Sequence, residues 1–275
     1  MNALPTRGEL IRDIESRDVR AGELAFWWLG QHGFALKAGE HVIYIDPFLT
    51  DLPGRLVPPL LLPADIRHAR IVCGSHDHAD HIDRDAWPAL ARSSPGATFI
   101  VPELLRERLA SDLAIDAGRF VGLDDGASVE IEGMRITGIA AAHESLDQDP
   151  STGRFPHLGF VFEANGCTFY HSGDTCIYTG LAAKLSRWRF DIMFLPINGR
   201  DAGRRARGCV GNMTCEEAAD LAGPLAPAMV VPTHYDMFAM NAGDPEAFRA
   251  YMNAKYPEQQ VCICEHAKAV TSGKA

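Results

Sequence analysis

No stretch of the 275-residue sequence is apolar for the ~20 residues that span a bilayer. Residues 1–22 are charged and polar and lack the basic-then-apolar profile of a secretion signal. The expectation is a cytoplasmic protein with no membrane contact. Basic charge is also short: 26 Lys and Arg against 36 Asp and Glu leave a formal charge of −10. A protein that tracks a phosphate backbone needs a basic face to displace counterions, so nucleic acid is excluded as the main partner. There is no CxxC pair, and the cysteine count is odd, at seven: Cys73, Cys167, Cys176, Cys209, Cys215, Cys262 and Cys264. A disulfide framework is therefore not expected, and none is assigned a ligand role. Cys262 and Cys264 alternate in QVCIC, read as small buried residues on one face of a terminal strand. Nor does any Pro/Ser/Gly-rich linker or charge block divide the chain, so residues 1–275 are read as a single domain. An apolar fraction of 47% is enough for a sizeable core.

What is present is CGSHDHADHID, residues 73–83, with His76, His78, Asp80 and His81 packed into six positions. Imidazole and carboxylate are ligands suited to Zn, Mn or Fe. The chain's own His and Asp frequencies give roughly one chance in a thousand of meeting HxHxDH, which favours a ligand set over a His-rich solvated loop. Residues 70–74 read as a buried strand ending at glycine, and residues 82–91 as a helix. On the loop between them His76 and His78 project the same way from extended backbone, while Asp80 and His81 face a second ion at the turn into the helix. Four ligands are too few for two ions, so more must come from elsewhere.

Strand ends supply them. Three strands with glycine turns are expected over residues 24–30, 34–39 and 41–48, the last closing on Asp46, placed either to steady a neighbouring ligand or simply to form an Asp-Pro turn. His32, in the GQHGF turn, reads as solvated. Residues 51–63, rich in Pro and Leu, form a loop that caps the pocket or meets another subunit, which leaves a homo-oligomer open. A hairpin over residues 128–143 ends in His143, a third ligand beside His76 and His78. CTFYHSGDT ends in Asp174, aimed across the site as a carboxylate shared by two ions, with His171 three residues earlier as a proton carrier or a buried, hydrogen-bonded histidine. AMVVPTH ends in His234, which joins Asp80, His81 and Asp174. Arg200, Arg204, Arg205 and Arg207 crowd the glycine-rich stretch 198–212, either as a clamp for an anionic substrate or as a solvated loop. Thr214 and Glu217 make a capping box for the next helix.

Blocks of strands separated by helices, with every ligand candidate at a strand end, imply two packed sheets covered by helices and a site along one edge. The order HxHxDH, His143, Asp174, His234 resembles the metallo-β-lactamase superfamily, which implies an α/β fold, the four-layer αββα sandwich, over nearly the whole chain. Within it WWLGQHGFALK, SHDHADHID, YHSGDT, the Arg207-Gly208 pair before NMTCEEA, and VVPTHYDMF resemble the L-ascorbate-6-phosphate lactonase group. The expected reaction is hydrolysis of a sugar or sugar-phosphate lactone. Two divalent ions, Zn or Mn, would share a water acidified toward neutrality, whose hydroxide attacks the ester carbonyl. His171 and Asp46 stand as catalytic candidates, and Asn198, Arg200, Arg207 and Asn212 as contacts to a small polar or anionic substrate. The competing expectation is a phosphodiesterase resembling N-acyl-phosphatidylethanolamine phospholipase D, which would use the same metals on phosphorus. It would need an apolar groove or membrane-binding face, and no amphipathic basic segment provides one.

Overall fold

Local signals set most of the boundaries in the computed structural model, which describes residues 4–273. Thr6 and Glu9 close a capping box that starts α1 (Arg7–Ser16). Then come β1 (Glu23–Gly30), β2 (Gly33–Ala38), β3 (His41–Ile45), β4 (Ala69–Cys73), α2 (Trp87–Ser93), β5 (Thr98–Pro102), α3 (Glu103–Leu113) and β6 (Phe120–Leu123). The second half contains β7 (Ser128–Ile131), β8 (Met134–Ala140), β9 (Leu158–Ala164), β10 (Cys167–His171), α4 (Leu181–Leu185), β11 (Ile192–Pro196), α5 (Ala202–Ala206), α6 (Cys215–Leu225), β12 (Met229–Thr233), α7 (Pro245–Lys255) and β13 (Ala269–Gly273).

The strands form two mixed sheets, one ordered β13-β1-β2-β3-β4-β5-β6 and the other β12-β11-β10-β9-β8-β7. In each, an antiparallel run passes into a parallel one: at β3–β4 in the first sheet and at β10–β11 in the second. The sheets pack through Phe26, Phe34, Phe160, Phe162, Phe169 and Phe194, with Phe194 edge-on to Phe26 at 5.2 Å. β1 is buried on both faces, which is why LAFWWLG reads as unbroken apolar sequence. Phe26 and Trp28 belong to the inter-sheet core, while Ala25, Trp27 and Leu29 pack outward with Leu10 and Ile14 of α1 and with α2 and α3. The alanine-rich face of α6 (Ala218, Ala219, Ala222) covers the second sheet beside α4 and α7. The result is the expected αββα layering. Among the described residues no helix is long and apolar enough to cross a membrane.

Three expectations need correction. The helix read over residues 82–91 begins only at Trp87, because the Asp83 carboxylate accepts the backbone N–H groups of Leu49, Thr50 and Ala86 and the Thr50 hydroxyl, pinning the segment as turns. QVCIC is not a strand. Val261 makes a lone parallel bridge with Val230, and the terminal strand is β13, antiparallel to β1. The arginine-rich stretch is not all loop, since Asp201 caps the short helix α5. The 51–63 segment runs beside the turn after β12, where Arg55 bridges to Phe238 and Leu56 N–H donates to the Met237 carbonyl.

Candidate metal centre

The ligand candidates leave the ends of strands in both sheets. β4 runs into Gly74, where an added Cβ would lie 2.4 Å from Ile82 Cγ1 and 2.8 Å from Trp87. That close approach folds His76 to His81 back over the sheet edge. β10 runs into Gly173, at φ 57° and with its Cα against the Leu158 carbonyl, and this turn aims Asp174 inward. His143 follows β8, and His234, itself left-handed at φ 60°, follows β12.

All seven candidates meet. Three donor groups form, each within 4.8 Å: His76, His78 and His143; His76, His81 and Asp174; Asp80, His81 and His234. His76 Nε2 is 2.8 Å from His78 Nδ1, which is 3.3 Å from His143 Nε2. Across the site Asp174 Oδ2 is 3.1 Å from His234 Nε2 and 3.9 Å from His143 Nε2, and Asp174 Oδ1 is 3.4 Å from His81 Nε2. Asp80 Oδ2 is 3.6 Å from His234 Nε2 and 3.7 Å from His81 Nε2. Asp174 thus touches both arms.

This donor set fits divalent cations. His81 Nε2 and Asp174 Oδ1 are buried and, among the described residues, have no hydrogen-bond partner, an arrangement that buried polar atoms avoid unless something else satisfies them. The protonation pattern agrees. Burial pushes His81 down, yet the carboxylates of Asp174, Asp80 and Asp46 outweigh it and hold the ring well above the ordinary imidazole range. Burial pushes Asp174 up, but His234 and His81 outweigh it and hold the carboxyl well below its usual range. Burial, reinforced by His81, drives His76 well down, and burial takes His143 to about 4. The protein alone therefore keeps a proton on His81 where a cation would satisfy the same carboxylates.

Behind the donors lies a shell that fixes each ring. Asp46 accepts from Ser75 N–H (2.8 Å) and Ser75 Oγ–H (2.7 Å), and its Oδ2 lies 2.6 Å from His81 Nδ1, so His81 presents Nε2. Ser75 Oγ, 3.0 Å from His76 Nδ1, does the same for His76. His143 Nδ1 faces Asn212 Oδ1 at 3.2 Å, Asn212 Nδ2–H donates to Asn198 Oδ1 (3.1 Å), and Asn198 Nδ2–H donates to Asn241 Oδ1 (2.7 Å). Gln31 Nε2–H donates to Asp80 Oδ2 (2.7 Å), while the Gln31 carbonyl accepts from His234 N–H (2.8 Å).

Several predicted roles change with these positions. Asp46 is fully buried and reaches the cluster only through His81 and Ser75, so it positions a ligand and does not meet substrate. Asp46→Asn is expected to weaken metal affinity by about 10–100-fold. Competition with a chromophoric chelator checks it, and unchanged affinity would assign Asp46 to the fold alone. His171 does not line the pocket. Its Nε2–H donates to the His32 carbonyl (2.8 Å) and its Nδ1 accepts from Gly173 N–H (3.4 Å), behind the ligands. Asn198 and Asn212 belong to the amide chain behind His143. Arg200 pairs with both Glu217 oxygens and donates to the Asn212 carbonyl. Arg204 holds the carbonyls of Asn198 and Ala242, and Arg205 faces Glu144. Arg207 is exposed and, among the described residues, its side chain has no hydrogen bond or ion pair.

Sequence reasoning passed over four residues here. Gln31, Ser75 and Asn241 act by spatial contact, and His157 has its ring 5.4 Å from His76 and 5.5 Å from His143. For Gln31, Ser75 and His157 a polar residue near a strand end is the only signal, and Asn241 carries none. His32, expected in solvent, is fully buried, its ring 3.9 Å from His171 and 6.0 Å from both His81 and His234.

Comparison with known proteins gives a consistent picture. A family model described as the beta-lactamase superfamily domain matches residues 41–235, the span that holds all seven donors. A UPF0173 metal-dependent hydrolase of Thermoplasma acidophilum is 30% identical over 224 residues, covering 81% of this chain and 88% of that protein. Another, of Methanosarcina mazei, is 31% identical over 237 residues, covering 85% and 92%. The structure of Igni18, a metallo hydrolase of Ignicoccus hospitalis, superimposes with a TM-score of 0.71 at 24% identity, over 90% of this chain and 98% of that one.

Proposed function

The chain belongs to the metallo-β-lactamase superfamily of metal-dependent hydrolases, and from that premise we propose that it opens a carboxylic ester of the lactone type with two divalent ions, Zn or Mn. The observation that carries the reading is Asp174, which lies 3.9 Å from His143 of one donor arm and 3.1 Å from His234 of the other and so suits a carboxylate shared between two ions. His76, His78 and His143 would hold one ion, and Asp80, His81 and His234 the other. When bound, the ions supply Lewis acidity and lower the pKa of a water toward neutrality.

The chain's own residues orient and enclose. Asp46 and Asn212 fix the rings of His81 and His143. Ala79, Cys209 and Val210 line, with the donors, a cavity of about 290 Å³. Both nitrogens of His171 are engaged behind the site, so His171 is not placed to protonate the leaving alkoxide.

A carbonyl electrophile is favoured over phosphorus because no Lys or Arg among the described residues lines this cavity. Phosphoryl-transfer sites recurrently add such cations to the metal. The sugar part of the expectation loses support, since His171, Asn198, Arg200 and Asn212 are committed to partners inside the protein. Arg207, next to the rim residue Gly208, remains the candidate contact for an anionic group.

The test is a panel of neutral lactones, aldonolactones and bis-p-nitrophenyl phosphate, with Zn-loaded and with Mn-loaded protein. Acid release from lactones is expected, and turnover confined to the phosphodiester would overturn the proposal. Arg207→Ala should lower kcat/KM on anionic lactones by about tenfold, the size of one charge-assisted contact, and leave neutral ones unaffected. Equal loss on both would remove Arg207 from substrate binding.

A further inference from the structure

Beside the metal cavity lies a second one of about 250 Å³, walled by Phe48, Leu52, Phe238 and Met240, that shares Ala79 and Cys209 with the first. Phe48 leaves the end of β3 and Phe238 the turn after β12, and their rings face each other at 6.4 Å. The wall is preformed. The Arg55 guanidinium lies 4.3 Å from the Phe48 ring centroid and donates to the Phe48 and Thr50 carbonyls, while Arg55 itself bridges to Phe238. Leu52 and Met240 remain 36% and 48% exposed, two large apolar side chains left open next to the donor cluster. Single exposed apolar residues are ordinary, but here they line a concave space continuous with the metal cavity.

Few polar atoms on its floor are open to a ligand: among the described residues the buried Gln31 Oε1 lacks a partner. The Gln31 amide donates to Asp80, and the Asn241 carbonyl oxygen accepts from Asn198. A sugar hydroxyl entering the lobe would lose water and find one open acceptor, whereas an apolar group would bury the exposed surface of Leu52 and Met240. A cavity near 150 Å³ holds a benzene ring, so this one suits a phenyl group or a chain of roughly four to eight carbons. It is too small for a lipid's paired acyl chains or for a folded partner.

We propose that this lobe takes an apolar alkyl or aryl substituent of the substrate while the substrate's carbonyl faces the metal donors. The inference rests on the ester-hydrolase reading for what sits at the metals, and deepens it by naming the rest of the molecule.

The probes are straight-chain carboxylates from acetate to octanoate, and phenylacetate, titrated into Zn-loaded protein by calorimetry. The Met240 methyl is followed by 13C-methyl NMR, and hydrolysis of lactones with matched alkyl substituents is measured alongside. Affinity is expected to rise about fourfold per methylene until the lobe is full, with the Met240 methyl shifting in step. Leu52→Ser and Met240→Ser, both at exposed positions that tolerate a polar side chain, should flatten that slope. A chain-length slope in binding without hydrolysis of any ester keeps the lobe and removes the ester-hydrolase reading. Hydrolysis with a flat slope removes the lobe and keeps the reaction. A Met240 shift that tracks protein concentration without ligand would show a second copy of the chain covering the lobe, and would overturn the proposal.

Discussion

Asp174→Ala is expected to lower kcat/KM by about 10³-fold, equivalent to about 4 kcal/mol, the scale of the charge stabilisation a metal gives a transition state. The geometry explains why this carboxylate outranks the other ligands. His78 or Asp80 serves one donor arm, whereas Asp174 lies 3.1 Å from His234 Nε2 and 3.4 Å from His81 Nε2 and also faces His143. With two ions held as proposed, removing it would leave no anion between them, so metal content should fall with the rate. Folding is a separate matter, because the side chain is aimed at the cluster and Gly173 sets the turn. The measurement is metal per chain by mass spectrometry alongside kcat/KM and circular dichroism. Full metal content and wild-type rate in Asp174→Ala would show that the carboxylate is not shared.

Chelation is expected to abolish turnover and to lower the Tm by roughly 10 °C when metal had been present at a thousandfold its Kd, a linkage of about 4 kcal/mol. The size of that drop should depend on pH in a direction fixed by the histidines. In the metal-free protein His76 and His143 are depressed, the latter to about 4. Their contribution is full above the unfolded value near 6.5 and is lost as the pH falls toward 4. His81 is raised. Its contribution is full below about 6.5 and is lost as the pH climbs through its folded pKa. A bound ion takes the place of that proton, so the metal-loaded protein escapes the alkaline loss. The gap in Tm between loaded and stripped protein should therefore widen as the pH rises above about 6.5 and through the raised pKa of His81, and loading should release protons. Calorimetry in buffers of different ionisation enthalpy reads both. A gap that stays constant with pH would mean that His81 does not exchange its proton for metal.

The seven ligand candidates were legible because each sits where an apolar run stops, and a strand's end is visible in sequence. Apolar periodicity gave the layers for the same reason, as in the doubly buried β1. What escaped depends on who lies next to whom. Arg200 looks like a free cation in an acidic chain until Glu217, seventeen positions on, is seen against it. Asn198 and Asn212 look like substrate contacts until the chain from His143 to Asn241 is assembled. His32 looked solvated because glycine turns usually are. This turn instead folds against the end of β3, where a Cβ on Gly33 would lie 2.8 Å from the Asp46 carbonyl oxygen. The late start of α2 has a similar origin, since Asp83 answers to Leu49 and Thr50, a pairing across thirty-odd positions that no local periodicity encodes.

The donors come from two sheets, His76 to His81 from the edge of one and His143, Asp174 and His234 from the other. No segment of the unfolded chain carries both arms, so the complete site exists only once the sheets have docked. Contacts that span so much of the sequence close long loops before they return any stability, so the two arms are expected to meet late in folding. The ion then acts as a latch on a finished sandwich and not as a seed for it. Its effect falls on the unfolding limb of the chevron, which shifts to slower rates, while the refolding limb stays where it was. Chains refolded with and without metal are expected to reach the native state equally fast and to differ in how long they keep it.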